Sequence, residues 1–277
     1  FLFKRLRFII ILCSFIFLSG LQKGSDAAEL KQSAPFTFFV GEDLLYNVSY
    51  GFIDLGTVRM KTLESFEEDG VKLYRLQSWI DSYSGVPFVD LHVVYESHID
   101  EEGYPHHFIS RTKDKEKWYY TKYDFDNQKN KIYLRRGEGT KDECTKYNFF
   151  DTISTSSNYQ DGLSIFYYAR RKSGRNGFEI IPTYQDDKKS TAEINFTDQS
   201  EETEIDAAEN PFQTKFLKGV ANFIGVFGLT GGFRGWFSDD ETRIPIIAKL
   251  NVIIGSVTLE LIEWKRGNWQ TNNRKKN

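Results

Sequence analysis

Three groups of residues in this sequence could carry chemistry. The first is "RGWFSDDETRIP", Arg234 to Pro245, where Asp239, Asp240 and Glu241 follow one another between an aromatic run and an apolar one. A two-carboxylate hydrolase sets its acids across a cleft, about 5 Å or more apart, whereas neighbours at a turn tip diverge and titrate normally. Calcium would need spaced oxygen ligands and a loop glycine. An Asp–Asp pair between strand-like runs is instead the composition of a hairpin turn. Pro245, with no N–H for a ladder, puts the following strand at an edge or a bulge.

The second group holds all four histidines, His92, His98, His106 and His107. His98 and His106 or His107 flank the turn "DEEGYP", so a hairpin could carry them toward Asp100 or Glu101 and make a zinc site of nitrogen and oxygen ligands. Against this, the helical H-E-x-x-H spacing is missing, and adjacent His106 and His107 point to opposite faces of a strand. The expectation is no metal and no cofactor, with His98, Glu101 and His106 the residues to watch. The third group is aromatic. "KWYYTKYDF" (Lys117 to Phe125) offers Trp118, Tyr120 and Phe125, and the glycine-rich "KGVANFIGVFGLTGGFRGWF" (Lys218 to Phe237) adds Phe233 and Trp236. Rings on a concave sheet face could stack on sugars or hold acyl chains, although aromatics are also ordinary strand formers and core fillers.

Other chemistry is excluded more simply. The glycine segment lacks the G-K-[ST] of a phosphate loop. Ser164 in "DGLSI" has no second glycine for a nucleophile elbow, and Cys144 has no basic partner motif.

The elements that must position these residues are strands. Leu44, Tyr46, Val48 and Tyr50 alternate with polar residues, as do Val58 and Met60, Val89 to Tyr95, Ala192 to Phe196, and Val257 to Leu261. That period of two marks strands with one buried face. Turn signals such as "EEDG", "FDNQKN" and "RRGEG" recur at short intervals, which favours an antiparallel meander over βαβ units. One segment departs from the pattern. In "NYQDGLSIFYYARRKSG", Leu163, Phe166, Tyr167 and Arg170 have helical spacing, Asp161 is placed to cap, and Gly174 can close. The reading is an all-β antiparallel meander, curved into an open or half-closed barrel, with one packed helix over about 160–172. The acidic 200–211 reads as a loop or two short strands.

The N-terminus reads as an export signal. Lys4, Arg5 and Arg7 precede the apolar Phe8 to Leu21, with Ser25 and Ala27 placed for cleavage before Ala28. The apolar run is shorter than the ~20 residues of a membrane span. The expected organisation is a signal peptide over 1–27, a linker over 28–40, a β-rich domain over 41–266 and a disordered polar tail over 267–277. The whole chain carries −3, and residues 1–27 hold four cations against one acid, so the exported part is more acidic still. It has no electrostatic footprint for nucleic acid. Only Cys144 remains beyond the signal, so no internal disulfide forms and stability must come from the core.

Four stretches carry a resemblance across the exported part: "GEDLLYNVSYGFIDLGTVRM", "YESHIDEEGYPHHF", "DGLSIFYYAR" and "GWFSDDETRIPI…GSVTLELIEW". In this order the sequence resembles the exported bacterial family catalogued as domain of unknown function 3108. The resemblance implies a β-rich protein of the periplasm or outer cell envelope, with no assigned activity and no catalytic residues to transfer. The functional expectation is therefore a non-enzymatic envelope protein binding a lipid-like or glycan ligand on a concave aromatic face. The alternatives are a hydrolase of envelope polymers built around residues 98–107, or a structural protein meeting a membrane surface or other envelope proteins through exposed strand edges.

Overall fold

The computed structural model describes residues 36–86, 90–223, 230–251 and 255–275. The expected signal peptide and most of the expected linker lie outside the described residues, as does part of the glycine-rich segment. The first eight strands are β1 (Asp43–Tyr50), β2 (Ile53–Glu68), β3 (Val71–Ser82), β4 (His92–Asp100), β5 (Pro105–Asp114), β6 (Lys117–Asp126), β7 (Lys131–Gly139) and β8 (Cys144–Ser154). A single helix, α1 (Ser164–Lys172), follows. The chain then returns through β9 (Gly177–Gln185), β10 (Lys188–Thr203), β11 (Phe212–Ala221), β12 (Gly231–Ser238), β13 (Pro245–Asn251) and β14 (Ser256–Lys265).

All fourteen strands form one antiparallel sheet in the order β8-β7-β6-β5-β4-β3-β2-β1-β14-β13-β12-β11-β10-β9. The sheet is two meanders joined where β1 pairs with β14, Val48 lying opposite Leu259. Its ends, β8 and β9, do not pair with each other among the described residues, so the barrel stays open there. Tight turns need the left-handed backbone that Gly and Asp tolerate: Asp69 and Gly70 join β2 to β3, and Asp186 and Asp187 join β9 to β10, all with positive φ.

The expected alternation holds on β1, where Leu44, Tyr46 and Val48 are buried. The acidic stretch differs: β10 runs on to Thr203 with a register irregularity between Phe196 and Ser200, after which Ile205 and Ala208 enter the core. Residues 267–275 also differ from the disordered tail expected of them. Trp269 stacks on Phe212 at 5.6 Å, and a 3₁₀ turn (Thr271–Asn273) buries Asn273. The apolar content needed for packing was carried by a single Trp in a polar run. Phe38, in the expected linker, likewise packs against Tyr74.

Helix α1 is enclosed rather than laid across an outer surface. Leu163 and Tyr167 pack with Tyr74, Leu76, Ile99, Phe108, Tyr123 and Leu134 of the first meander. On its other side, Ile165, Tyr168 and Ala169 pack with Ile181, Ile194, Phe196, Leu217 and Phe237 of the second. Of the four residues with helical spacing, Phe166 alone is exposed, at 45%. Two apolar faces exist because the sheet surrounds the helix. Truncating Leu163 or Tyr167 would therefore leave a cavity worth about 2–5 kcal/mol.

The last turn of α1 is fastened by charge. Arg170 donates to Glu42 through Nη1 at 2.5 Å and Nη2 at 2.7 Å, and through Nε to the carbonyl of Thr242 at 3.0 Å. Arg266 donates to the other side of the same carboxylate at 2.6 Å. Burial alone would raise the pKa of Glu42, but the two guanidiniums outweigh it and hold the carboxyl below its usual range. The network ties the helix to the first and last strands, the two elements that join the meanders.

Candidate functional site

The acidic triplet lies in the turn between β12 and β13 and is structural. Asp240 Oδ1 accepts Ser238 Oγ at 3.0 Å and the N–H groups of Thr242 and Arg243 at 2.9 and 3.2 Å, and Oδ2 accepts Trp269 Nε1 at 2.8 Å. Burial raises its pKa, and the hydrogen bonds from Thr242, Trp269 and Ser238 more than offset that, so it sits low. The expectation of an ordinary titration is corrected: this acid is a half-buried turn hub. Asp239 bonds Ser200 and pairs with Lys215.

Of the histidines, His98 and His107 meet edge to face, ring centroids 5.5 Å apart, but their nitrogens go to separate carboxylates. His98 Nε2 meets Glu96 at 3.2 Å, His106 reaches only Asp100 at 3.7 Å, and Glu101 pairs with Lys72 at 3.1 Å. His98 stands opposite His107, not His106. His107 is held between Asp124 at 2.7 Å and Glu68 at 2.9 Å, and these bonds, Asp124 first, raise its pKa above the ordinary imidazole value against the opposing effect of burial. Asp124 in turn is lowered to about 2: burial opposes this, but His107 and Arg135 prevail. These groups form cross-strand ion pairs. Among the described residues, no cluster of three or more His, Cys, Asp or Glu could hold a metal.

The aromatic candidates divide between two faces. Phe125 lies on the α1 side, buried with Tyr123, and Phe233 packs with the helix-facing cluster of the second meander. Trp118 and Tyr120 have the opposite parity on β6 to the inward Thr121 and Tyr123, so they lie on the other face, where Tyr120 is itself buried. There Tyr120 donates to the carbonyl of Thr140 at 2.6 Å. Trp236 is also outside, 5.4 Å from Phe216. No single concave face gathers these five, because residues of opposite parity on one strand cannot share one.

The sheet does enclose a different site, at the N-terminal end of α1. A cavity of about 230 Å³ is lined by Tyr95 of β4, Phe108 and Ser110 of β5, Thr121 and Tyr123 of β6, Arg136 of β7, Gly162 before the helix, and Gln185, Asp186 and Asp187 at the β9–β10 turn. Strand register places these groups together. Ser110 is directly opposite Thr121 and Phe108 opposite Tyr123, all facing inward. Phe108 stacks on Tyr123 at 5.4 Å and meets Tyr95 edge-on at 5.2 Å, giving one aromatic wall. Polar groups complete the lining. Arg136 pairs with Asp187, and Tyr123 donates to Asp187 at 3.5 Å. A side chain at Gly162 would press on the Tyr95 ring, 3.3 Å from an added Cβ, so the glycine keeps the space open.

Beneath the cavity, Asp161 prepares the helix. Its Oδ1 accepts the N–H groups of Leu163 and Ser164 at 2.7 and 2.8 Å, and Ser97 Oγ donates to both carboxylate oxygens at 2.8 Å. The capping role expected of it is observed. Complete burial raises its pKa to about 6, against the pull of those same hydrogen bonds. Its oxygens are committed to the helix end and to Ser97, which makes it an anchor for the cavity floor rather than an acid aimed at a substrate.

A larger depression of about 620 Å³ lies across β6, β7 and β8, bordered by Asp124, Tyr133, Arg135 and Phe150. It is broad and open to solvent, and two of its three charged residues, Asp124 and Arg135, are already paired with each other, Asp151 being the third. The smaller cavity is the better-formed recess.

Residues 45–262 match the family described as a protein of unknown function, DUF3108. The chain belongs to this family. No curated protein matches it. Among solved structures, a beta-barrel-like protein of domain of unknown function DUF1849 from Brucella abortus has a TM-score of 0.55 at 12% identity, over 83% of this chain and 99% of that one. A Bacteroides fragilis protein of YmcC-like fold covers 83% and 98% at 11% identity, with a TM-score of 0.34. The likeness to the Brucella protein supports the barrel-like fold and extends no further at that identity. In family terms the cavity is a feature of this chain read from its own geometry. Sequence reasoning missed its residues because they come from six separate segments, and "YQDDKK" showed only turn composition.

Proposed function

We propose that this protein is an exported, non-enzymatic binding protein of the bacterial envelope, and that its site is the cavity at the N-terminal end of α1. The observation that carries the reading is that the recess combines three aromatic rings, Tyr95, Phe108 and Tyr123, with polar groups, Ser110, Thr121, Arg136, Gln185 and the two aspartates. Rings that cover one face of a ligand and hydroxyl, amide and charged groups that bond its edge are the requirements of a sugar. Of the two ligand classes expected, an acyl chain would leave the hydroxyls of Ser110 and Thr121 and the amide of Gln185 without a partner from the ligand, at about 1–3 kcal/mol each. A volume of 230 Å³ lies below the roughly 300–1,000 Å³ of drug-sized pockets, so the ligand is about one sugar ring or a chain end. Export rests on the N-terminal charge and apolar pattern.

Native mass spectrometry of the protein recovered from a bacterial periplasm tests this reading. A bound mass of saccharide size, lost in Thr121→Leu, is the expected result. An apo mass, together with no response to a panel of millimolar monosaccharides, would reject it.

A further inference from the structure

The charges around the cavity distinguish one kind of sugar from another. Among the described residues that line it Arg136 is the one cation, and Asp187 already neutralises that charge. Asp186 lines the same recess, beside Gln185 at the hairpin tip, and among the described lining residues there is no second cation to offset it. The buried Asp161, next to the lining Gly162, adds further negative charge nearby. The aromatic wall has the same preference. Tyr95, Phe108 and Tyr123 present ring faces and edges within 5.2–5.4 Å of one another, and a ring face attracts a cation through its quadrupole. Burial raises the Tyr95 phenol, with Asp186 and Asp161 adding to it, so that ring stays neutral at any ordinary pH. A carboxylate and an aromatic ring are the groups that an ammonium ion requires, and both line a recess that also holds hydroxyls and an amide.

We infer that the cavity selects a ligand bearing a protonated amine, of the class of an amino sugar with its nitrogen free, with Asp186 as the carboxylate that meets the ammonium. This rests on the reading of the cavity as a sugar site and specifies its charge. Asp186 is a specificity residue and not a structural one. It is exposed at a turn with φ +47, a conformation that Asn adopts as readily, so Asp186→Asn removes the charge and keeps the turn.

The test is isothermal titration of the full exported chain at pH 7 with glucosamine, glucose and N-acetylglucosamine, which differ in the presence and charge of the nitrogen. The expected result is that glucosamine binds about tenfold more tightly than either neutral sugar, from one rim ion pair plus cation–π attraction. Asp186→Asn should lower it to their level, with an unchanged melting temperature, and 1 M salt should weaken glucosamine selectively. Equal binding of all three sugars, or an undiminished glucosamine preference in Asp186→Asn, would overturn the amine assignment while leaving the cavity reading in place. No binding of any of the three would remove both.

Discussion

The two ends of α1 use charged residues in opposite ways. At the C-terminal end, Arg170, Glu42 and Arg266 are buried and each guanidinium meets the same carboxylate, while the carbonyl of Thr242 takes the remaining Arg170 donors. At the N-terminal end, Asp161 is equally buried but meets only hydroxyls and backbone N–H groups, and beyond it lie a cavity and a rim carboxylate with no lining cation to spare. Saturated charges fasten the helix between the two meanders. Unsaturated groups facing a recess leave room for a ligand. Charged clusters in this protein are therefore sorted by the valence their partners leave open, not by how many acids adjoin in sequence.

The largest expected effect lies at the saturated end. Glu42→Ala leaves two guanidiniums buried without a counter-charge, and breaking such a buried pair costs about 3–5 kcal/mol. Urea unfolding should show that loss. A loss below about 1 kcal/mol would mean that water reaches the network and that the end is not sealed.

The second effect concerns the sign of the pH response. The pKa of Asp161 is raised to about 6 in the folded protein from its ordinary 3.8. Its contribution is thus fully present below about pH 4 and is lost as pH rises through 6, by up to about 3 kcal/mol for a shift of this size. Asp124 behaves oppositely: lowered to about 2, it stabilises above pH 4 and loses that effect as pH falls. Comparing wild type with Asp161→Asn isolates the first contribution, since Asn keeps an acceptor for the helix N–H groups. The wild type should lose stability relative to the variant between pH 4 and 7. Parallel stability curves over that range would contradict the burial of a charge at this end.

Smaller again is the turn hub. Asp240→Ala removes the acceptor for Trp269 Nε1 and for two backbone N–H groups and should cost about 1–3 kcal/mol. A shift in tryptophan fluorescence should report that the 267–275 segment has loosened. The smallest effect on stability is expected at the cavity. Arg136→Gln, at a half-exposed side chain, should move the unfolding free energy by about 0.5 kcal/mol or less while weakening sugar binding. A large stability loss with unchanged binding would make the two ends alike.

Much of this fold was legible from periodicity. The alternation of Leu44, Tyr46 and Val48 located β1, and the spacing of Leu163, Tyr167 and Arg170 with Asp161 in front located α1 and its cap. Local pattern could not show that the helix would be enclosed, because burial of Ile165 and Tyr168 on its second face depends on strands that arrive later in the chain. The same limit hid the cavity. Ser110 and Thr121 face each other only through the register of β5 on β6, and Asp186 joins them only where the open ends of the sheet approach. The sequence signals that drew attention, the Asp–Asp pair of the β12–β13 turn, the histidines and Trp118, were local ones. The histidines' partners proved to lie on their own and neighbouring strands, while the Asp–Asp pair also draws Ser200 and Trp269 from distant segments.

The most direct test of the cavity as the binding site is amide chemical-shift mapping of the exported chain during titration with glucosamine. The account predicts saturable shifts concentrated at Tyr95, Ser110, Thr121, Gly162 and Gln185, with none at Trp118 or Trp236. Shifts centred on those two outer-face tryptophans, or spread without saturation, would contradict it.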